Sequence, residues 1–349
     1  MTDPATLPAT LPPGYKLATD PQENGPDYRP TVDVIDWTGH GNLGDEAAAE
    51  VLADLLPGAK IRHTRQPTAE FCILGPGSLF GVKTWLESAE QIPPSSRLAV
   101  FGTGISEHPA EWPDGMADRW REVLDRADLL AVRGPLTAKA LTETVKTKTP
   151  VRVIGDLVLC HPGPAEQPKP TTEGKILINA AADLGGKRGA KILALLAGLV
   201  DTIQASGREV VYLPFRTTEL AQARRLIQST GIACLPPDLP AVWAAIDQAA
   251  AVVSLRLHGA ILAARLGRPF VSLAYNAKHW DAARHLGTDF FTVSADRIQE
   301  ADLCRILDHA IEDGTAGRFL ELYHQKVRPA AEAIEDAAAD LAAYWHFSA

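Results

Sequence analysis

Short apolar runs rich in β-branched residues alternate along the chain with longer segments that have the apolar spacing of helices. Each run ends in a loop of glycine and polar residues, and the next helical segment then begins. Strands that alternate with helices of this length are typical of a parallel sheet covered on both faces. In the first half of the chain the runs are TVDVIDW, AEFCILGPGS, RLAVFGTGIS, DLLAVRG and VRVIGDLVL.

A segment rich in proline and glycine, residues 161–174, interrupts this alternation and is interpreted as a linker between domains. Beyond it the alternation resumes with the runs KILINAA, REVVYLPF, AAVVSL and RPFVSLAY. The sequence therefore predicts an α/β protein of two Rossmann-like parallel-sheet domains that face a cleft at the carboxyl ends of their strands.

The predicted organisation also includes the two ends of the chain. The apolar spacing of Phe319, Tyr323 and Val327 gives the last helical segment a buried face, and we expect this segment to return to the N-terminal domain. The predicted order is a flexible tail at 1–30, an N-terminal domain at 31–160, the linker, a C-terminal domain at 175–315 and the returning segment at 316–349.

Composition and charge narrow the function classes. A net charge of −9 argues against a general nucleic-acid-binding protein and against attraction to an anionic membrane. No apolar run approaches the length of a membrane span, and the proline-rich N-terminal segment lacks an apolar signal core, so we expect a cytoplasmic protein without an integral membrane segment. The 4 cysteines are far apart, which predicts reduced thiols rather than disulfides or zinc ligands.

Three glycine loops follow predicted strands. The loop GHGNLGDE places Asn42 and Asp45 at the start of a helix, where their side chains can accept hydrogen bonds from backbone N–H groups. A capped helix after a tight turn is the simpler interpretation. The loops that contain Ser78 and Gly104 can present backbone N–H groups to an anion, but neither completes a dinucleotide-binding fingerprint.

Arginine and histidine side chains also stand at strand ends. Arg133 precedes a predicted helix and can bind a carboxylate or phosphate through two hydrogen bonds, or it pairs at the surface with Asp128 or Glu143. In SLRLHGAI, Arg256 and His258 are predicted to be alternate residues of an extended loop and hence to share a face.

This second pair of residues suggests acid–base chemistry on an anion, although a histidine among apolar neighbours is also commonly structural. Tyr275 and Lys278 follow the next strand and make this end of an acidic protein locally basic. A small, densely charged anionic ligand suits such a site.

Together, these segments resemble the polysaccharide pyruvyl transferase family. The matching pieces cover most of residues 31–285, and RLHGAILA followed by Gly-x-Pro and Tyr-x-x-Lys is the most specific. The resemblance implies a GT-B-like fold, phosphoenolpyruvate as donor and a sugar diol as acceptor, carried by a glycan or a glycosylated small molecule. In order, the pieces are GNLGDE, ILGPGSLF, FGTGIS, LLAVRGPLTAKAL, VIGDLVL and VVSLRLHGAILAARLGRPFVSLAYNAKHWD.

The resemblance also implies roles for individual residues. It assigns Arg133, Arg256 and Leu257 to the donor and makes His258 the general acid. Gly134 and Pro76 stand where the family often has an acidic residue and a third glycine. Candidates for the acceptor side of the cleft are Asn42, Asp45, Ser78, Gly104, Tyr275 and Lys278. No cofactor is implied, and the sequence contains no Asp-x-Asp pair or histidine cluster that predicts a metal.

The residue types fit this chemistry. Formation of a pyruvate ketal requires a proton at the methylene carbon of phosphoenolpyruvate, then attack of a sugar hydroxyl at C2 and loss of phosphate. A histidine can supply the proton, and arginines can bind the carboxylate and phosphate. Two alternatives stay open: a nucleotide-sugar glycosyltransferase of the same architecture, and a non-catalytic protein that binds an anionic metabolite.

Overall fold

The computed structural model describes residues 29–162, 173–180 and 186–347, and the chain divides into two compact units. Within the described residues, unit 1 comprises 29–38, 48–160 and 330–347. Unit 2 comprises 39–47, 161–162, 173–180 and 186–329. The predicted tail and linker lie almost entirely outside the described residues.

Unit 1 is built on a seven-stranded parallel sheet with strand order β2-β1-β3-β5-β6-β7, in which β4 pairs with β5. The inner strands are almost entirely buried and mostly apolar, as expected for a parallel sheet with both faces covered. The strands are β1 Thr31–Ile35, β2 Lys60–His63, β3 Phe71–Leu74, β4 Gly77–Phe80, β5 Arg97–Ile105, β6 Leu129–Val132 and β7 Val151–Val153.

Helices connect these strands. Helix α1 begins among the residues of unit 2 and continues into unit 1 from Ala48. The helices are α1 Leu43–Leu55, α2 Lys83–Ala89, α3 Met116–Leu124 and α4 Pro135–Lys139, with a π-helical continuation at Ala140–Val145 and 3₁₀ turns at Pro109–Glu111 and Leu157–Cys160.

Unit 2 has a six-stranded parallel sheet of order β10-β9-β8-β11-β12-β13. Its strands are β8 Ile176–Asn179, β9 Val210–Tyr212, β10 Ala233–Cys234, β11 Ala251–Ser254, β12 Phe270–Ala274 and β13 Thr292–Ser294. Its helices are α5 Gly186–Ala205, α6 Leu220–Thr230, α7 Leu239–Asp247, α8 Leu257–Arg265, α9 Ala277–Leu286, α10 Glu300–Ile311 and α11 Asp313–Leu322, with 3₁₀ turns at Thr217–Glu219 and Asp289–Phe291 and a π-helical segment at Tyr323–Val327.

The two parallel sheets confirm the predicted fold class, and the predicted inner strands are all present. Strands β2, β4, β10 and β13 were not predicted, and each has only one neighbouring strand in its sheet among the described residues. Ser78, predicted in a loop, lies in β4. An edge strand has one neighbour and tolerates polar residues, so β2, with the sequence KIRH, lacks an apolar run. Among the described residues, no helix is long and apolar enough to cross a membrane.

The last segment of the chain differs from its predicted boundary. Residues 330–347 belong to unit 1, but residues 316–329 belong to unit 2. Phe319 is the reason, because its ring packs 5.4 Å from Phe270 and 4.7 Å from Phe291, both in unit 2. The apolar residues used to predict a return to the first domain thus begin the segment on the second.

A final helix, α12 at Arg328–Tyr344, leads to an aromatic end that packs within unit 1. Trp345 lies 5.1 Å from the ring of Phe71 and donates a hydrogen bond from Nε1 to Asp128 at 3.0 Å. The same carboxylate oxygen accepts a hydrogen bond from Arg97 Nε at 2.7 Å. Asp128 therefore connects β5, the start of β6 and the chain end.

Replacing Trp345 with phenylalanine is expected to lower the free energy of unfolding by about 1.5–3 kcal/mol more than the same change at Trp120, because a hydrogen bond to a charged group is lost. Trp120 is equally buried, but its Nε1 has no hydrogen-bond partner among the described residues. Denaturant unfolding of both variants measures the difference. Equal losses would show that only packing matters at Trp345.

Candidate functional site

The candidate residues of the second half gather in unit 2 at the carboxyl ends of its central strands. Asn179 and Ser254 are the last residues of β8 and β11, and the adjacent loops carry the arginine and histidine of SLRLHGAI. Parallel sheets bind ligands at this edge, because all their strands end there. The prediction that Arg256 and His258 are alternate residues of an extended loop is wrong, since α8 begins at Leu257.

Arg256 is held by a buried network. Its Nε donates to Oε1 of Glu219 at 2.6 Å, and its backbone N–H donates to Oδ1 of Asn179 at 3.0 Å. The second oxygen of Glu219 accepts from the backbone N–H of Phe215 at 2.9 Å and from Asn179 Nδ2 at 3.0 Å. Arg256 is 5% exposed and Glu219 is fully buried, so their charges neutralise each other away from bulk water.

His258 occupies the first turn of α8 and packs against the start of α1. The imidazole lies so close to Gly44 that a Cβ atom at this glycine would be 2.0 Å from Cγ and Nδ1 of the ring. The first turn of α1 is fixed in unit 2 by a hydrogen bond from Leu43 N–H to the carbonyl of Phe215 at 3.0 Å. His258 is 8% exposed, and Leu257 beside it is 4% exposed.

Asp45 is the acidic residue of the same turn of α1. Its Oδ2 accepts a hydrogen bond of 2.5 Å from Asn42 Nδ2, whose Oδ1 in turn accepts from Gly44 N–H at 3.4 Å. Removal from water raises the pKa of the Asp45 carboxyl, and the opposing positive charges of His258, Lys278, Arg216 and Arg256 only partly offset this rise. A carboxyl with a raised pKa beside an imidazole can take part in proton transfer.

Tyr275 and Lys278 follow strand β12 and form the rim of this cluster. The Lys278 ammonium lies 5.5 Å from the centre of the Tyr275 ring, and the guanidinium of Arg188 lies 6.0 Å from it. Arg188 is itself paired with Asp296 and donates to the carbonyl of Tyr275 at 3.0 Å. Lys278 is thus the half-buried cation at this end of unit 2.

Arg133, Ser78 and Gly104 come together in unit 1. Arg133 is 1% exposed, and its Nη2 donates to Ser78 Oγ at 2.9 Å, while its Nη1 lies 3.8 Å from Asp156 Oδ2. The guanidinium lies over Gly104, where a Cβ would be 2.8 Å from Nη2. A surface ion pair with Asp128 or Glu143 is excluded, because Arg133 is buried.

The two departures from the family pattern lie beside this cluster. Gly134 is extended, at φ −155°, and is the N-cap residue of α4, where an acidic side chain is not needed to begin the helix. Pro76 stands between Gly75 and Gly77, and the Gly75–Pro76 peptide bond is cis. Gly134 thus directly follows the buried arginine in the chain, and Pro76 stands two residues before Ser78, the hydrogen-bond partner of that arginine.

Three partners of the arginines were not predicted, namely Glu219, Asn179 and Asp156. Glu219 directly precedes α6, where an acidic residue commonly stabilises a helix N-terminus and so draws no attention in a sequence. The available signal was that an arginine in an apolar segment needs a buried anion. Within the described part of the chain, no group of three or more His, Cys, Asp or Glu side chains could hold a metal.

Replacing Gly44 with alanine is expected to lower turnover at least ~10-fold, because the added methyl group must displace the imidazole of His258 and small misplacements of a reacting group are costly. Gly317 in α11 has no neighbour within 4 Å of an added Cβ, so Gly317→Ala is the matched control. Turnover and thermal unfolding are measured for both. Full activity in Gly44→Ala would show that turnover does not depend on the packing of His258 against Gly44.

Replacing Asp45 with asparagine is expected to leave the protein as stable as the wild type or more stable at neutral pH. The raised pKa means that burial disfavours the ionised carboxylate, and the substitution removes this cost. The difference should shrink as pH falls through the folded pKa toward 3.8, the unfolded value. Asp33, whose pKa is lowered, gives the opposite sign as Asp33→Asn. Urea unfolding across this pH range tests both signs.

Comparison with known proteins places this arrangement in a family. A model of the family described as polysaccharide pyruvyl transferase matches residues 42–277, which include the Asn42–Asp45 turn, Arg133 and the Arg256–His258 segment. No curated protein has a significant sequence match to the chain.

Solved structures show the fold. The UDP-GlcNAc 2-epimerase from Neisseria meningitidis, bound to UDP-GlcNAc, is 12% identical, with a TM-score of 0.57 over 89% of this chain and 99% of that one. A Thermobaculum terrenum O-GlcNAc transferase mutant is 13% identical, with a TM-score of 0.50 over 97% and 70% of the two chains. At these identities the likeness concerns the GT-B-like fold alone. The family match over most of its length identifies this chain as a member of the polysaccharide pyruvyl transferase family.

Proposed function

We propose that this protein transfers the pyruvyl group of phosphoenolpyruvate to two hydroxyls of a sugar, which forms a pyruvate ketal and releases phosphate. The observation that carries the proposal is the position of His258, which lies against the first turn of α1 beside Asp45 within the matched part of the chain. An imidazole and a carboxyl of raised pKa at one strand edge suit a reaction that moves several protons.

In the proposed reaction, His258 donates a proton to the methylene carbon of phosphoenolpyruvate, and C2 becomes a cationic centre. A sugar hydroxyl attacks C2 and loses its proton. Phosphate then leaves with the electron pair of the C2–O bond and takes up the proton of the first hydroxyl. The second hydroxyl attacks C2 and closes the ring, and its proton passes to His258, which restores the acid. Such acid catalysis typically contributes ~10²–10⁴-fold to the rate.

The arginines have a separate role in this proposal. Arg133 and Arg256 bind the anionic groups of the donor, with Leu257 next to Arg256 in the chain, and Lys278 adds positive charge. Arg256 is already partly neutralised by Glu219, so we expect it to orient one anionic group rather than to supply excess charge. Asn42, Asp45, Ser78, Gly104 and Tyr275 are proposed to line the surroundings of donor and acceptor.

The test is incubation of the purified protein with phosphoenolpyruvate and a panel of saccharides that contain vicinal or 4,6-diols. Release of phosphate together with a product that gains the mass of a pyruvate ketal is the expected result. A parallel series contains nucleotide sugars in place of phosphoenolpyruvate. Transfer from a nucleotide sugar alone would make the protein a glycosyltransferase, and binding without turnover in both series would favour a non-catalytic role.

A further inference from the structure

A histidine–aspartate pair stands at the carboxyl edge of the unit 1 sheet, apart from the residues already assigned. His63 is the last residue of β2, and Asp36 directly follows β1, its neighbour in the sheet. His63 Nδ1 lies 3.0 Å from Asp36 Oδ2. The Asp36 side chain is 2% exposed, whereas that of His63 is 31% exposed, so a buried carboxylate holds an accessible imidazole.

Asp36 is held rigidly. Its Oδ2 accepts a hydrogen bond of 2.8 Å from Thr38 Oγ1, and its Oδ1 accepts one of 3.1 Å from Thr38 N–H. An ionised carboxylate can only accept hydrogen bonds, so the hydrogen between Asp36 and His63 belongs to Nδ1 of the ring. The basic lone pair of a neutral His63 is then on Nε2, which is the tautomer that a buried aspartate imposes in hydrolase triads.

The pair is linked to Arg133 within the same unit. Trp37, next to Asp36, donates from Nε1 to the carbonyl of Ser78 at 3.0 Å, and the hydroxyl of Ser78 accepts from Arg133. Arg133 lies over Gly104 of β5, and β3 and β1 separate β5 from β2, the strand that ends at His63. Three strand spacings amount to about 14 Å. Phosphoenolpyruvate on the arginine and one sugar ring would fill such a distance.

We propose that His63, oriented by Asp36, is the base on the acceptor side of the proposed pyruvyl transfer, an inference that rests on the proposed function. The O–H bond of the attacking sugar hydroxyl breaks, its proton moves to Nε2 of His63, and the oxygen lone pair forms the bond to C2 of the donor. The imidazolium returns this proton to the phosphate oxygen as the C2–O bond to phosphate breaks. The substrate class at this edge is thus a saccharide hydroxyl, and Asp36 is a positioning residue.

Ketal formation needs such a group for a simple reason of proton balance. One proton is added to the donor carbon, but two hydroxyl protons must leave the acceptor, and the departing phosphate can take one of them. An acid that only donates a proton cannot accept the proton of the attacking hydroxyl and then deliver it to the departing phosphate. An imidazole with a fixed tautomer can accept and return a proton in successive steps.

The test uses the full-length protein with phosphoenolpyruvate and methyl β-galactoside or methyl β-glucoside as acceptor. His63→Gln should lower kcat at least ~10-fold and change the KM for phosphoenolpyruvate less than twofold, because in the proposed scheme the arginines bind the donor and His63 acts only after the reaction has begun. His63→Gly should regain activity when imidazole is added, and the regained rate should rise with the basicity of substituted imidazoles. His324→Gln, at an exposed histidine of unit 2, is the control and should keep the wild-type rate.

The outcomes separate the two proposals. If the wild type transfers no pyruvyl group to any diol, the proposed function is contradicted. The proposed role of His63 is then contradicted as well, because it rests on that function. If the wild type transfers the pyruvyl group and His63→Gln keeps the full kcat, the role of His63 as a base is overturned and the proposed function stands. The proposal would also be overturned if added imidazole did not restore the activity of His63→Gly and both His63 variants melted at lower temperatures. That result would show that the His63–Asp36 pair only connects two strands.

Discussion

His258→Gln is expected to lower turnover by ~10²-fold or more while donor affinity changes little, because the substitution removes the proposed acid and keeps a polar side chain of similar length. The imidazole packs against Gly44 in unit 2, and glutamine can fill most of that space. Initial rates of phosphate release and calorimetric titration with phosphoenolpyruvate measure the two effects separately.

The control for this variant is His309→Gln, at a partly exposed histidine of α10. It should match the wild type in both measurements. Near-full turnover of His258→Gln with a verified acceptor would place the acid elsewhere, and His279, His40 and Tyr275 would be tested next. A fall in affinity as large as the fall in turnover would instead assign His258 to donor binding.

Arg256→Ala is expected to lower the free energy of unfolding by about 3–5 kcal/mol, which is the cost of leaving a buried partner charge unpaired. The fully buried Glu219 would keep two of its hydrogen bonds, from Phe215 and Asn179, and lose the one from the guanidinium. Denaturant unfolding at neutral pH measures the loss. Loss of phosphoenolpyruvate binding by this variant is informative only in the fraction that remains folded.

The double variant Arg256→Met with Glu219→Gln separates the ion pair from its surroundings. It should be more stable than Arg256→Ala, because both charges are removed together and no buried charge is left unpaired. The double variant should nevertheless bind phosphoenolpyruvate weakly if Arg256 contacts the donor. A double variant as unstable as Arg256→Ala would show that the arginine acts by packing rather than by charge, and unchanged donor binding would remove Arg256 from the proposed donor site.

The apolar pattern by itself determined the two α/β units and their inner strands. Buried parallel strands such as β3 and β6 are continuous apolar runs, and helices of regular spacing connect them, so each element is encoded locally. The order of glycine loops, Arg133 and RLHGAILA was also local and was sufficient to indicate the family. Edge strands such as β2 escaped detection because their burial depends on one neighbour.

Only the tertiary structure decided which side chains meet. That Arg256 pairs with Glu219, that His258 packs on Gly44 and that Trp345 donates to Asp128 are contacts between residues 37, 214 and 217 positions apart. The packing of Phe319 on Phe270 and Phe291 likewise decided where the last segment leaves unit 2. Apolar spacing predicts that a residue is buried, but it does not predict the surface against which the residue packs. That surface, like the partner of a buried charge, is determined only when the sheet is assembled.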